Sequence, residues 1–108
     1  MKLAFTERHF GNAERFAIAE LSETDYSWVY EDERVYSPPH GIDKHDSLRE
    51  KAALLSGVNV LFTGKAGAFA YNLLSNAGIQ VLEQTGDIEY LIDGYVKYLK
   101  RPRFAGLK

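Results

Sequence analysis

The spacing of apolar and polar residues divides the chain into three strands followed by alternating helices and strands. Residues 3–6 (Leu-Ala-Phe-Thr) predict a short first strand, and residues 15–21 a second that is apolar on much of both faces. Ser22-Glu23-Thr24-Asp25 is turn chemistry between the second and third strands. Residues 27–36 predict a third strand, with Trp28, Tyr30 and Tyr36 on one face and Asp32 and Arg34 interrupting that face. Those charges suit an edge strand. Pro38, Pro39 and Gly41 make residues 37–45 a loop. A helix follows, entered at Asp43, at Asp46, or at Ser47 with Glu50 completing a capping box. Leu48, Ala52 and Leu55 form its apolar stripe and Gly57 ends it. Residues 58–62 are mostly apolar, as in a strand covered on both sides. A turn at residues 63–67 leads into a second helix with Phe69, Ala70, Leu73, Leu74 and Ala77 inward and Gly78 at its end. Residues 79–82 predict the fifth strand, and Ile88, Leu91, Ile92, Tyr95 and Leu99 recur at helical spacing in a last helix.

Three strands joined by short connections form an antiparallel meander, and two later strands, each entered from a helix, add by right-handed crossovers. The simplest sheet has order 3-2-1-4-5 with strand 2 antiparallel to the rest, sandwiched by three helices. This is an α/β, ribonuclease H-like three-layer arrangement. Residues 1–100 are expected to be a single domain, and residues 101–108, with Arg101, Arg103 and Lys108, a flexible basic tail.

That topology selects a site. The connections leaving strands 1 and 4 depart in opposite directions, which opens a crevice at the carboxyl ends of the strands. One wall is Glu7-Arg8-His9-Phe10-Gly11-Asn12-Ala13 and the other is Thr63-Gly64-Lys65-Ala66-Gly67, which is also a helix N-terminus. Gly64 and Gly67 let a ligand approach the backbone, and Arg8 and Lys65 add positive charge. The site suits an anionic ligand that accepts imidazole. Gly64-Lys65-Ala66-Gly67 lacks the spaced Gly-Lys-[Ser/Thr] of a Walker loop, so its plain reading is a tight strand-to-helix turn. His40 and His45, five residues apart across a glycine, match no standard zinc motif and read as solvated loop residues, with a role beside His9 left open.

Composition narrows the chemistry. The 108 residues contain no cysteine, which excludes disulfides, a cysteine nucleophile and thiolate-held clusters, and leaves imidazole and oxygen as ligands. A net charge of -2 argues against general nucleic-acid binding. The opening residues are too brief for a signal h-region and no apolar run reaches a membrane span, so a cytoplasmic location is expected. A two-metal nuclease would need carboxylates on the central strands, and residues 3–6 and 58–62 hold none. Tyr26, Trp28, Tyr30 and Tyr36 read as core or half-buried edge residues, and an exposed aromatic edge could pair two subunits, so a monomer or weak homodimer is expected. Glu31-Asp32-Glu33 reads as a solvated face.

His9-Phe10-Gly11-Asn12-Ala13, followed by Arg15-Phe16, resembles the His-Phe-Gly-x-Ala signature of the dinitrogenase iron–molybdenum cofactor-binding family. Asp46-Ser47-Leu48, Gly64-Lys65-Ala66-Gly67 and Gly78-Ile79 continue the resemblance in order over nearly the whole chain. The resemblance implies a non-catalytic carrier of an iron-sulfur or iron-molybdenum cluster. Its donors and acceptors would be cluster-assembly or nitrogenase proteins, with neither nucleic acid nor membrane as partner. It also implies His9 as the cluster ligand, with His40 and His45 as further candidate metal ligands. Arg8, Phe10, Gly11, Gly64, Lys65, Ala66 and Gly67 would form the cofactor-binding surroundings. The alternative reading is a metal-free module that binds a small anion or a protein at the same helix N-terminus.

Overall fold

The structure, a computed structural model, describes residues 1–101. Five strands form one mixed sheet: β1 (Lys2–Phe5), β2 (Arg15–Leu21), β3 (Trp28–Val35), β4 (Val60–Phe62) and β5 (Gln80–Leu82), in the order β3-β2-β1-β4-β5. β2 runs antiparallel to both neighbours, whereas β1, β4 and β5 are parallel. Order and directions are those predicted from the pattern. The expected tail lies outside the described residues from position 102 onward.

The central strands β1 and β4 have no polar face, because both sides are covered. Ala4 and Leu61 pack with Phe16 and Ile18 beneath helices α1 (Lys44–Leu54) and α2 (Ala68–Asn76). Leu3, Phe5, Val60 and Phe62 pack on the other side beneath α3 (Ile88–Lys100), which contributes Leu91, Ile92 and Tyr95. Phe5 and Phe62, register partners on β1 and β4, stack with ring centroids 4.9 Å apart. Each such buried side chain contributes about 1.5–3 kcal/mol, so the β1–β4 seam is a main source of the fold's stability.

Three local readings change. Trp28, Tyr30 and Tyr36 do not share a face. Ala19 pairs Tyr30 while Ile18 pairs Asp32, so Glu31 is an extra residue in a β-bulge. The alternation shifts by one there. Tyr36 is thus buried against α1, while Tyr30 is 56% exposed. Of the three caps offered for α1 the structure takes Asp43, whose carboxylate accepts from the backbone N–H of His45. Ser47 and Glu50 form no capping box at the helix start; both instead contact the Tyr36 hydroxyl, at 3.2 and 3.0 Å. Ala77 is exposed, because α2 ends at Asn76 before that position can turn inward.

Candidate functional site

Parallel pairing of β1 with β4 sends both following segments out of the same edge of the sheet. The two segments stay zipped beyond the strands. Thr6 N–H donates to the Phe62 carbonyl (2.9 Å), Gly64 N–H to the Arg8 carbonyl (3.0 Å) and Phe10 N–H to the Lys65 carbonyl (2.7 Å). His9 and Lys65 form an isolated parallel bridge. The buried Thr63 hydroxyl also donates to the Arg8 carbonyl, at 2.8 Å. This closeness needs glycine at 64. A Cβ there would stand 2.9 Å from the Glu7 carbonyl oxygen and 3.2 Å from that of Arg8.

His9 stands at the start of a 3-10 turn (Phe10–Asn12) with extended backbone (φ -62, ψ 141), and its ring makes no capping bond to that turn. Phe10 is fully buried, packs against Phe16 at 5.8 Å and anchors the loop. Lys51 pins the loop from below. Its side chain is 2% exposed, and its ammonium donates to the carbonyls of Phe10 (2.9 Å) and Gly11 (3.1 Å). Burial pushes the Lys51 ammonium below its ordinary pKa, and the nearby Glu14 carboxylate partly offsets this. Lys51 also lies 5.5 Å from the Phe10 ring centroid and 5.4 Å from that of Tyr36.

On the far side of the loop His9 opens onto a cleft of ≈ 390 Å³, lined also by Gly11, Asn12, Lys44, His45, Lys65, Ala66, Gly67 and Phe69. Two helix N-termini, those of α1 and α2, therefore face one cavity, with Lys44 and Lys65 and no carboxylate side chain in its lining. Aligned peptide dipoles and two ammonium groups make this cleft favourable for an anion. Gly67 caps α2 at φ +81 with no side-chain cap, so the first turn of α2 presents bare backbone. The adjacent Ala66 N–H is already taken, donating to the Glu83 carboxylate at 3.0 Å.

The predicted residues divide. His9, Gly11, Lys65, Ala66, Gly67 and His45 meet in the cleft. Gly64 lies behind it and Phe10 beneath it. Arg8 lines a separate depression of ≈ 530 Å³, together with Glu7, Glu14, Arg15 and Glu33. Neighbouring side chains on extended backbone leave in opposite directions, which separates Arg8 from His9. That larger depression mixes both signs of charge and holds no histidine. His40 is exposed on the loop before α1 and does not reach the cleft. Lys51 and Glu83 were not singled out by the sequence. Lys51 follows Leu48 by three positions and precedes Leu55 by four, so its place on the apolar stripe is a readable signal. Glu83, just beyond β5, carries no such signal. Among the described residues no group of three or more His, Asp or Glu side chains converges as a metal-ion cage, and no helix is long and apolar enough to cross a membrane.

The family model described as dinitrogenase iron-molybdenum cofactor matches residues 4–98. The chain belongs to that family. Membership gives it a cofactor-binding role in nitrogenase-related processes. Solved structures share the fold at low identity. The crystal structure of PH0822 is 18% identical with a TM-score of 0.65, covering 91% of this chain and 92% of that one. The NMR structure of a Thermotoga protein (TM1290), named as a candidate NifB protein of the DUF35 family, is 19% identical with a TM-score of 0.53, covering 89% of this chain and 87% of that one. No curated protein matches the sequence.

Proposed function

We propose that residues 1–100 act as a single, non-catalytic domain that receives an anionic iron-sulfur or iron-molybdenum cluster in the His9 cleft and hands it on. The observation carrying this reading is the His9–Lys65 bridge, which holds an imidazole beside the bare N-terminus of α2. An imidazole supplies a metal ligand, and the helix ends with Lys44 and Lys65 oppose the negative charge of a sulfide-bridged cluster. The protein offers few ligands, so the cargo brings most of its own as inorganic sulfide. A small protein ligand set suits transfer, because few bonds break on release. The donor and acceptor on this reading are cluster-assembly or nitrogenase proteins.

Anaerobic loading with a cluster tests the reading. The wild-type chain is expected to retain iron through gel filtration at about one cluster per chain. His9→Ala is expected to lower affinity by roughly tenfold or more, the scale seen when a metal site loses a key partner. Equal retention by both proteins removes His9 from the site. Retention of a small oxyanion such as phosphate, with no iron bound, selects the metal-free alternative.

A further inference from the structure

The geometry points to a two-imidazole grip: His45 is the second protein ligand of the cargo, reaching it from the first turn of α1 while His9 reaches it from the β1 loop. This rests on the carrier reading and assigns the other side of the same cleft. Both histidines line one cavity, whereas His40 stays outside it. The His45 ring is held in place. It stacks on Phe69 with centroids 4.1 Å apart and planes 15° from parallel. Phe69 in turn has the Arg49 guanidinium 5.3 Å from its centroid, one helical turn beyond His45. The Asp43 cap accepts from the His45 backbone N–H rather than from its ring.

Stacking covers the face of an imidazole, but the nitrogen lone pairs lie in the ring plane. Phe69 therefore orients the ring without competing for the position a metal would take. An aromatic contact alone would account for packing. It does not account for that ring sharing a cleft lined by Lys44 and Lys65 with a second histidine whose side chain leaves its own turn uncapped. Loading from a thiolate-ligated [4Fe–4S] dianion is then ligand exchange. Each imidazole nitrogen donates its lone pair to an iron, one iron–thiolate bond breaks, and the thiolate leaves with its electron pair. Iron oxidation states do not change.

The experiment uses the whole chain, loaded anaerobically with a synthetic thiolate-ligated [4Fe–4S] cluster, reduced, and examined by pulsed EPR for histidine nitrogen couplings. Wild type and His40→Gln are expected to show two imidazole nitrogens, and His9→Ala and His45→Ala one each. His45→Ala is expected to lose roughly tenfold or more in affinity. Phe69→Leu, which keeps both rings and removes the stack, is expected to retain two couplings with weaker binding. His45 is exposed, so circular dichroism of His45→Ala should match wild type. A single nitrogen coupling in wild type, unchanged in His45→Ala, overturns the two-imidazole grip and leaves the carrier reading intact. Failure of wild type to take up the cluster overturns both.

Discussion

The ammonium of Lys51 donates to the carbonyl of Phe10 at 2.9 Å, the residue that follows the cleft histidine, and it does so at 2% exposure. A helix of the outer layer thus holds the loop that carries His9. The second acceptor, the Gly11 carbonyl at 3.1 Å, lines the cleft itself.

Lys51→Met keeps most of the side-chain volume and removes both donors. It is expected to destabilise the fold by about 2–4 kcal/mol, since the buried Phe10 carbonyl and the part-buried Gly11 carbonyl lose a charged partner. The penalty also depends on pH. Burial lowers the Lys51 pKa in the folded chain below its unfolded value of 10.5. Across that window the unfolded chain binds more protons, so wild-type stability gains with rising pH. The variant lacks this titration. Urea unfolding should therefore show the gap between the two proteins widening toward pH 10.5, and a gap that narrows as pH rises would refute the assignment.

Gly64→Ala probes the seam between the two walls. The new Cβ would meet backbone oxygen atoms of Glu7 at 2.9 Å and Arg8 at 3.2 Å, and neither is a flexible side-chain end. The segments must part, at an expected cost of about 1–3 kcal/mol. Amide shifts in a two-dimensional NMR spectrum should concentrate on residues 7–10 and 63–66, and cluster retention should fall although His9 is present. Gly11→Ala is the control. A Cβ at Gly11 meets nothing within 4 Å and its φ is not positive, so only a small loss of stability is expected.

How much of this could be read in the sequence depended on how local the signal was. The strand order followed from three strands on short connections and two later strands each entered from a helix, with the mostly apolar residues 58–62 marking a strand covered on both sides. The crevice followed from the parallel pairing of β1 with β4. The β-bulge at Glu31 left no mark, because one additional residue in a polar strand changes alternation without changing composition. His40 and His45 looked equivalent until the cap was fixed. A helix starting after Asp43 carries His45 into the cleft and leaves His40 on the loop. The separation of Arg8 from His9 was legible in principle, since adjacent residues on extended backbone diverge. The β4–β5 pairing that brings Glu83 to Ala66 was legible, but no local pattern marks the residue just beyond β5 as the one that turns back to the loop.

Arg34 shows what the bulge accomplishes. The shifted register turns its side chain toward α1, where the guanidinium donates to the carbonyls of Leu54 (3.0 Å) and Ser56 (2.8 Å). These lie at the end of α1, where a cation complements the helix dipole. Arg34→Ala is expected to lower stability by about 1–2 kcal/mol. Hydrogen exchange should quicken at the last turn of α1 while the amides of residues 64–66 keep their protection. Uniform acceleration across both regions would contradict a local capping role.

Glu83 makes the cleft weaker for an anion than its lysines suggest. Its carboxylate accepts from Ala66 N–H at 3.0 Å, beside the bare start of α2, and so places a fixed negative charge where the cargo would spread its own. Glu83→Gln keeps an oxygen acceptor for that N–H and removes the charge. Cluster affinity is expected to rise about two- to fivefold, the usual worth of one charge near a helix end at low salt, and the gain should shrink as ionic strength increases. The off-rate should carry most of the change, because the contact is short-ranged. Weaker binding by Glu83→Gln would mean that the carboxylate supports the turn more than it opposes the cargo. Circular dichroism melting of the variant separates that outcome, since a support role lowers the melting temperature and an opposing role leaves it in place.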